Sequence, residues 1–364
     1  AYMMDVTKEE RERGVTIDVN YKKLETQKNY FTIIDAPGHS DYIKNMITGA
    51  AQSDAAVLVC NAKDGVKAQT KEHAFLAQVM GIRQLIVSVN LMDVVDYKEE
   101  RFKEVSEEVT ALLTRTGYKK EQITVIPTSA WKGDNIVKKS ENMPWYSGPT
   151  LLEHLDTFKA TEIPTDKALR LPVQDVYNIK GVGTVPVGRV ETGILRPNDK
   201  VVIMPQNIPT DIKSIEAHHE QLASAGPGDN IGFNLRKIGK GDIKRGSVIG
   251  PIDNAPTVAE EFTAQIVVLN HPTAITPGYT PVFHLHTAQI SCSVTEIIKK
   301  TAPTQEDNPK FLKTGDAAIV KIKPLSPLCV ETYKDFPQLG RFAIRDMGKT
   351  VAAGVVTEIK PRQK

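Results

Sequence analysis

Between residue 30 and about residue 158 the chain alternates short, nearly continuous apolar runs with stretches in which apolar residues recur every three or four positions. The runs at 30–34, 55–61, 84–90 and 123–128 predict strands of a sheet buried on both faces. The stretches 42–52, 69–80, 98–116 and 151–158 predict helices, the third carrying Phe102, Val105, Val109, Leu112 and Leu113 on one stripe. Such alternation predicts an α/β domain, a mostly parallel sheet with helices on both faces. Ligands of these sheets bind beyond the carboxyl ends of the strands.

After the helix at 151–158 comes a polar, proline-bearing linker at 159–165. From Leu171 the pattern changes to short strands cut by Gly and Pro turns, among them 185–190, 199–204, 230–235 and 263–268. Helical periodicity almost vanishes, which predicts two all-β barrels or sandwiches with a break near 254–257. The expected domains are 1–160, 165–255 and 257–364.

A length of 364 residues suits two or three domains, and the 40% apolar and 25% charged content is that of ordinary soluble chains. The formal net charge of +2 argues against a general nucleic-acid coater and leaves polyanion contact to local basic stretches. These are 236–245, 360–364 and the group Arg341, Arg345 and Lys349; each taken alone reads as a solvated turn. Cys60, Cys292 and Cys329 are odd in number and embedded in apolar runs, so they read as reduced, buried thiols. No apolar stretch reaches membrane-spanning length and no secretion leader is visible, which points to the cytoplasm and away from membrane partners. Because the chain opens on Ala1 with a string that reads like the middle of a domain, a segment upstream is expected.

The candidate chemistry lies at strand ends. Asp35-Ala36-Pro37-Gly38-His39 follows the first run, Asn90-Leu91-Met92-Asp93 the third, and Ser129-Ala130-Trp131 the fourth. A carboxylate at a strand end, a glycine amide and a helix start suit a metal-bound phosphate, with Asp35 acting through water on Mg²⁺, Gly38 donating its N–H to the terminal phosphate and His39 facing the attacking water. A carboxylate such as Asp93 that accepts from guanine N1–H and its exocyclic amine rejects adenine, while the Ala130 N–H is placed for guanine O6. Thr16, after the charged run 10–13, is a candidate Mg²⁺ ligand, although alone that run reads as a solvated helix end. His284 and His286, expected on one strand face, and the adjacent pair His218 and His219 read as structural histidines.

These strings, together with Ser129-Ala130-Trp131-Lys132-Gly133-Asp134-Asn135, Met143-Pro144-Trp145-Tyr146, His218-His219-Glu220-Gln221 and Pro337-Gln338-Leu339-Gly340-Arg341-Phe342, resemble the translation elongation factor 1-alpha family over essentially the whole chain, with an archaeal rather than eukaryotic ending. The resemblance implies a GTPase domain followed by two barrels. It also implies GTP/GDP and Mg²⁺ as cofactors, GTP-dependent delivery of aminoacyl-tRNA to the ribosomal A site, and a guanine-nucleotide exchange factor as partner. Carried over by motif, Thr16 and Asp35 hold the metal, residues 35–39 meet the phosphates with His39 catalytic, and residues 90–93 and 129–131 bind the base. Two departures stand out. Leu91 occupies the position of a family lysine, keeping its apolar cover of the ring and losing its amine. No Gly-rich phosphate loop ending in Gly-Lys-Ser/Thr occurs; family order places it before Ala1. A truncated, non-catalytic RNA- or protein-binding form and a GTPase carrier of release or ribosome-rescue factors are the alternatives.

Overall fold

The computed structural model describes residues 8–13, 16–38, 42–159, 165–217, 220–239 and 241–363. They fall into two compact units, Ala1–Thr161 and Glu162–Lys364. In the first, β3 (Ala55–Asn61), β4 (Gln84–Asn90) and β5 (Ile123–Pro127) form a parallel sheet with β4 at its centre. Leu85, Val87 and Val89 of β4 pack in one core cluster with Val105, Val109 and Leu113 of α4 (Glu99–Thr116) and Ala74 of α3 (Ala68–Val79). Ile86 and Ser88 point the other way and are buried too, so this strand has no alternation to show. The edge strand differs from the sequence expectation: Leu58 and Cys60 are buried, but Val57 and Val59 are exposed. α4 stops at Gly117, whose φ of 106° lets its N–H turn back to the carbonyls of Leu113 and Thr114.

The first apolar run is placed differently from its expectation. It forms β2 (Tyr30–Asp35), antiparallel to β1 (Asn20–Glu25) in a separate two-stranded sheet. β1 escapes a hydrophobicity reading because Lys22, Lys23 and Glu25 break the apolar pattern. The turn is closed by the Thr26 N–H and hydroxyl on Asn29 O at 2.9 and 3.1 Å. The first unit also contains α1 (Lys8–Arg13), α2 (Ile43–Ala51) and α5 (Leu151–Leu155). α5 starts on a reciprocal cap, with the Glu153 N–H on Thr150 Oγ1 at 3.2 Å and the Thr150 N–H on Glu153 Oε2 at 2.8 Å.

The second unit holds two closed antiparallel barrels. In the first, β6 (Leu171–Ile179), β7 (Gly183–Arg189), β11 (Asn230–Leu235), β9 (Ile208–Ala217), β8 (Lys200–Met204) and β12 (Val248–Pro251) pair in that order and β12 returns to β6, with β10 (Glu220–Gln221) added on β9. In the second, β13 (Val258–Val268), β20 (Lys349–Pro361), β19 (Arg341–Asp346), β14 (Val282–Leu285), β15 (Ala288–Ala302) and β17 (Ala317–Pro324) close likewise, with β16 (Glu306–Asp307) on β15 and β18 (Leu328–Cys329) on β13. Closure pairs the edges that an open sheet would expose. Inward side chains such as Ile203, Ile215 and Phe233 fill the first barrel, and Phe262, Phe283 and Phe342 the second.

A polar cross-link joins the barrels. Arg170 Nε donates to Glu331 Oε1 at 2.7 Å, its Nη1 and Nη2 reach Asn254, and its guanidinium lies 4.5 Å from the Phe336 ring centroid. Thr257 completes Glu331 through its N–H and hydroxyl. Beside this cross-link, Val202, Met204 and Val248 of one barrel share a small core with Cys329 and Leu339 of the other. All three cysteines are free and buried, and burial pushes the Cys60 thiol up to about 11 and that of Cys292 to about 12. His284 and His286 do not share a strand face: β14 ends at Leu285, and His286 turns at φ 39° to bring its Nε2 within 3.2 Å of Cys329 O. His218 and His219 lie outside the described residues.

Candidate functional site

The register of the parallel sheet brings two of the candidate segments together. Asn61 pairs with Asn90 and Val89 with Pro127, so the chain leaves β4 and β5 side by side at the carboxyl edge. The Met92 N–H donates to Thr128 O at 3.1 Å, and the Ala62 N–H to Asn90 O at 2.8 Å. Asn90 Oδ1 accepts the Ala130 N–H at 2.9 Å, and the Ser129 hydroxyl donates to Asp93 Oδ1 at 2.7 Å. The Ala130 N–H, expected to serve guanine O6, is engaged here by Asn90 Oδ1.

The members of this group have different tasks. Met92 is fully buried in the core cluster with Val89 and Val105 and anchors the loop instead of facing a ligand. Ser129 and Thr128 are fully buried, and Thr128 Oγ1 lies 2.7 Å from Ser88 Oγ. Asn90, Leu91 and Asp93 are half-buried, Ala130 is exposed and Trp131 is 85% exposed. Leu91 takes a left-handed conformation, φ 66° and ψ 35°, which costs a branched side chain about 1 kcal/mol. Asp93 thus presents a half-buried carboxylate and Ala130 an exposed turn backbone, with the half-buried Leu91 in the same loop as Asp93.

The second group stands on the separate hairpin. Asp35 ends β2 opposite Asn20, and Thr16 lies four residues before Asn20. Glu10 does not belong to a solvated helix end: it is fully buried, and its Oε1 accepts the N–H groups of Ile17 and Asp18 at 2.9 and 3.1 Å. Asn45 of α2 donates to Ile17 O at 2.9 Å and to Asp18 Oδ1 at 3.1 Å. α2 approaches the strand end closely: a Cβ on Gly49 would stand 3.2 Å from Ala36 Cβ and 3.3 Å from Ile34 Cγ2. Pro37 is buried and Gly38 exposed. A Cβ on Gly38 would stand 3.7 Å from Cε1 of His73 on α3, an imidazole that burial holds below the usual histidine range. His39 lies outside the described residues.

Sequence reading missed the supports: Glu10, Asn45, Tyr97, whose hydroxyl donates to Asp134 Oδ2 at 3.1 Å, and Asp134, whose N–H donates to Ser129 O at 3.0 Å. Only Asp134 had a local signal, as part of the Gly133-Asp134-Asn135 turn.

Comparison with known proteins agrees with this anatomy. The chain matches the elongation factor Tu GTP binding domain over residues 1–161, elongation factor Tu domain 2 over 183–250, and the GTP-eEF1A C-terminal domain-like family over 261–357. It is 61% identical to elongation factor 1-alpha of Methanocaldococcus jannaschii, covering 100% of this chain and 87% of that protein. Identity to elongation factor 1-alpha of Methanosphaerula palustris is 60%, covering 100% and 86%. In fold it is similar to translation elongation factor SelB from Methanococcus maripaludis in complex with the GTP analogue GPPNHP, with a TM-score of 0.76 at 22% identity over 95% of this chain and 74% of that one. The chain belongs to the elongation factor 1-alpha family.

Proposed function

We propose, with that membership as the premise, that Asn90, Leu91, Asp93 and residues 129–131 read the guanine base, Met92 anchoring their loop in the core, while Thr16, Asp35, Ala36, Pro37, Gly38 and His39 serve the metal and phosphates. The protein is a GTPase of translation elongation: it delivers aminoacyl-tRNA to the ribosomal A site and hydrolyses GTP to GDP and phosphate. The observation that carries the site reading is the Ser129 hydroxyl on Asp93 Oδ1 at 2.7 Å. A carboxylate so oriented is ready to accept guanine N1–H and its exocyclic amine. Adenine has no such donor pair and would leave a desolvated acceptor unpaired.

The donors near the hairpin suit Mg²⁺ in kind. The Thr16 hydroxyl and Asp35 carboxylate are hard oxygen ligands. Thr16 and Asp35 are the residues that would hold the ion. When bound, the ion supplies charge neutralisation between the phosphates. Glu10 and Asn45 hold the backbone after Thr16, Pro37 stiffens the turn, Gly38 offers an N–H and His39 orients water. Leu91 covers the base with an aliphatic chain. An exchange factor, release or rescue factors as additional cargo, and a cytoplasmic location complete the proposal.

Titration with GDP and ADP tests the base site, with ADP expected to bind roughly 100-fold more weakly; equal affinities overturn it. GTP, not GDP, is expected to protect aminoacyl-tRNA from deacylation, and equal protection by both rules out a switch. His39→Ala is expected to slow hydrolysis more than it weakens GTP binding.

A further inference from the structure

The loop that leaves β4 is strained at both ends. Leu91, Asp96 and Tyr97 all adopt left-handed conformations, at φ 66°, 54° and 55°. Such non-glycine residues persist where surrounding contacts over-determine them. At Tyr97 the contacts are specific: its hydroxyl donates to Asp134 Oδ2 at 3.1 Å, and Trp145 Nε1–H donates to its carbonyl at 3.1 Å.

Asp134 is 9% exposed and fully engaged. Its Oδ1 accepts the Ser140 hydroxyl at 2.5 Å and Asn142 Nδ2 at 3.3 Å. Its backbone grips Ser129 in both directions, Asp134 N–H to Ser129 O at 3.0 Å and Ser129 N–H to Asp134 O at 3.2 Å. Ser129 in turn holds Asp93 through its hydroxyl. The bonds Tyr97 to Asp134, Asp134 to Ser129 and Ser129 to Asp93 thus close a ring through the backbone between residues 93 and 97. Movement of Asp93 relative to Ser129 would break a bond on that ring.

We propose that Asp134 is a positioning residue for guanine discrimination: through Ser129 on one side and Tyr97 on the other it fixes the Asp93 carboxylate at the base edge. This deepens the base-site reading and rests on it. Asp134 touches no nucleotide. Its influence appears where Asp93 meets the guanine 2-amino group, which hypoxanthine lacks.

The test measures GDP and IDP affinities of the full-length protein and its variants. Tyr97→Phe removes one hydroxyl, and Asp134→Asn keeps the shape while replacing an acceptor with a donor. Each is expected to reduce the GDP-over-IDP preference roughly 3- to 10-fold, chiefly through weaker GDP binding. The double variant is expected to lose no more than the larger single loss, because both cut the same link. If both single variants weaken GDP and IDP by the same factor, or alter neither, Asp134 is fold support and the proposal fails. Should Asp134→Asn not fold, the same ratio in Tyr97→Phe decides. Asp93→Asn separates this outcome from failure of the base site itself: it is expected to shift preference from GDP to XDP, whose carbonyl replaces the amine. An Asp93→Asn protein with unchanged preference overturns the base-site reading and this proposal with it.

Discussion

The barrels of the second unit return to their first strands and close, whereas the first unit has a three-stranded parallel sheet with a half-covered edge strand and a hairpin standing apart. Particular polar side chains add a second contrast. In the barrels, Arg170, Glu331 and Thr257 join one β-structure to another. In the first unit, Glu10, Asn45, Ser129 and Asp134 hold loops. In the closed sheets the backbone satisfies itself and Arg170 serves to join two barrels; at the open edge of the α/β sheet the strand-end loops are shaped one hydrogen bond at a time.

The largest expected effect tests the rigid side of that contrast. Arg170→Ala leaves Glu331 buried without its cation and is expected to destabilise the barrel unit by about 3–5 kcal/mol, read from urea unfolding; a change below about 1 kcal/mol would show that the shared core alone joins the barrels. Next comes acid sensitivity. Burial lowers His286 to about 4 from an ordinary 6.5, so the unfolded chain takes up a proton that the folded chain refuses between those values. Stability is expected to fall by about 3 kcal/mol as pH drops through that window, and His286→Gln to flatten the dependence.

Smaller effects belong to the first unit. Glu10→Ala removes the acceptor of two backbone N–H groups, and a local loss of about 2 kcal/mol is expected. It would appear as faster amide exchange at Ile17 and Asp18 with barrel unfolding unchanged. Leu91→Gly relieves left-handed strain against the added freedom of glycine in the unfolded chain, for a net gain of about 0.5 kcal/mol in the stability of the first unit. A loss instead would mean that the leucine side chain contributes more by packing than its backbone costs.

Much of the architecture was legible because periodicity is a local signal. The run 84–90 announced a strand without alternation, and β4 is buried on both faces for that reason. β1 was not legible, since its pattern is broken by charges and its partner supplies its order. The exposed face of β3 was hidden for the opposite reason: Val57 and Val59 look like core. In the candidate site the strand ends pointed to Asn90, Asp93 and Ala130 as candidates, but their bracing joins positions far apart in sequence. Ser129 and Asp93 are 36 residues apart, and Tyr97 and Asp134 are 37. Such pairings follow from register, which no local window contains. Met92 shows the limit within the motif itself, its side chain belonging to the core.

The guanidinium of Arg170 also bears on recombination between relatives. Residues 170, 254, 257 and 331 form a lock whose pieces come from both barrels and the segment between them. A chimera that exchanges one barrel inherits half of that lock, and only donors carrying the matching half will yield a well-joined hybrid.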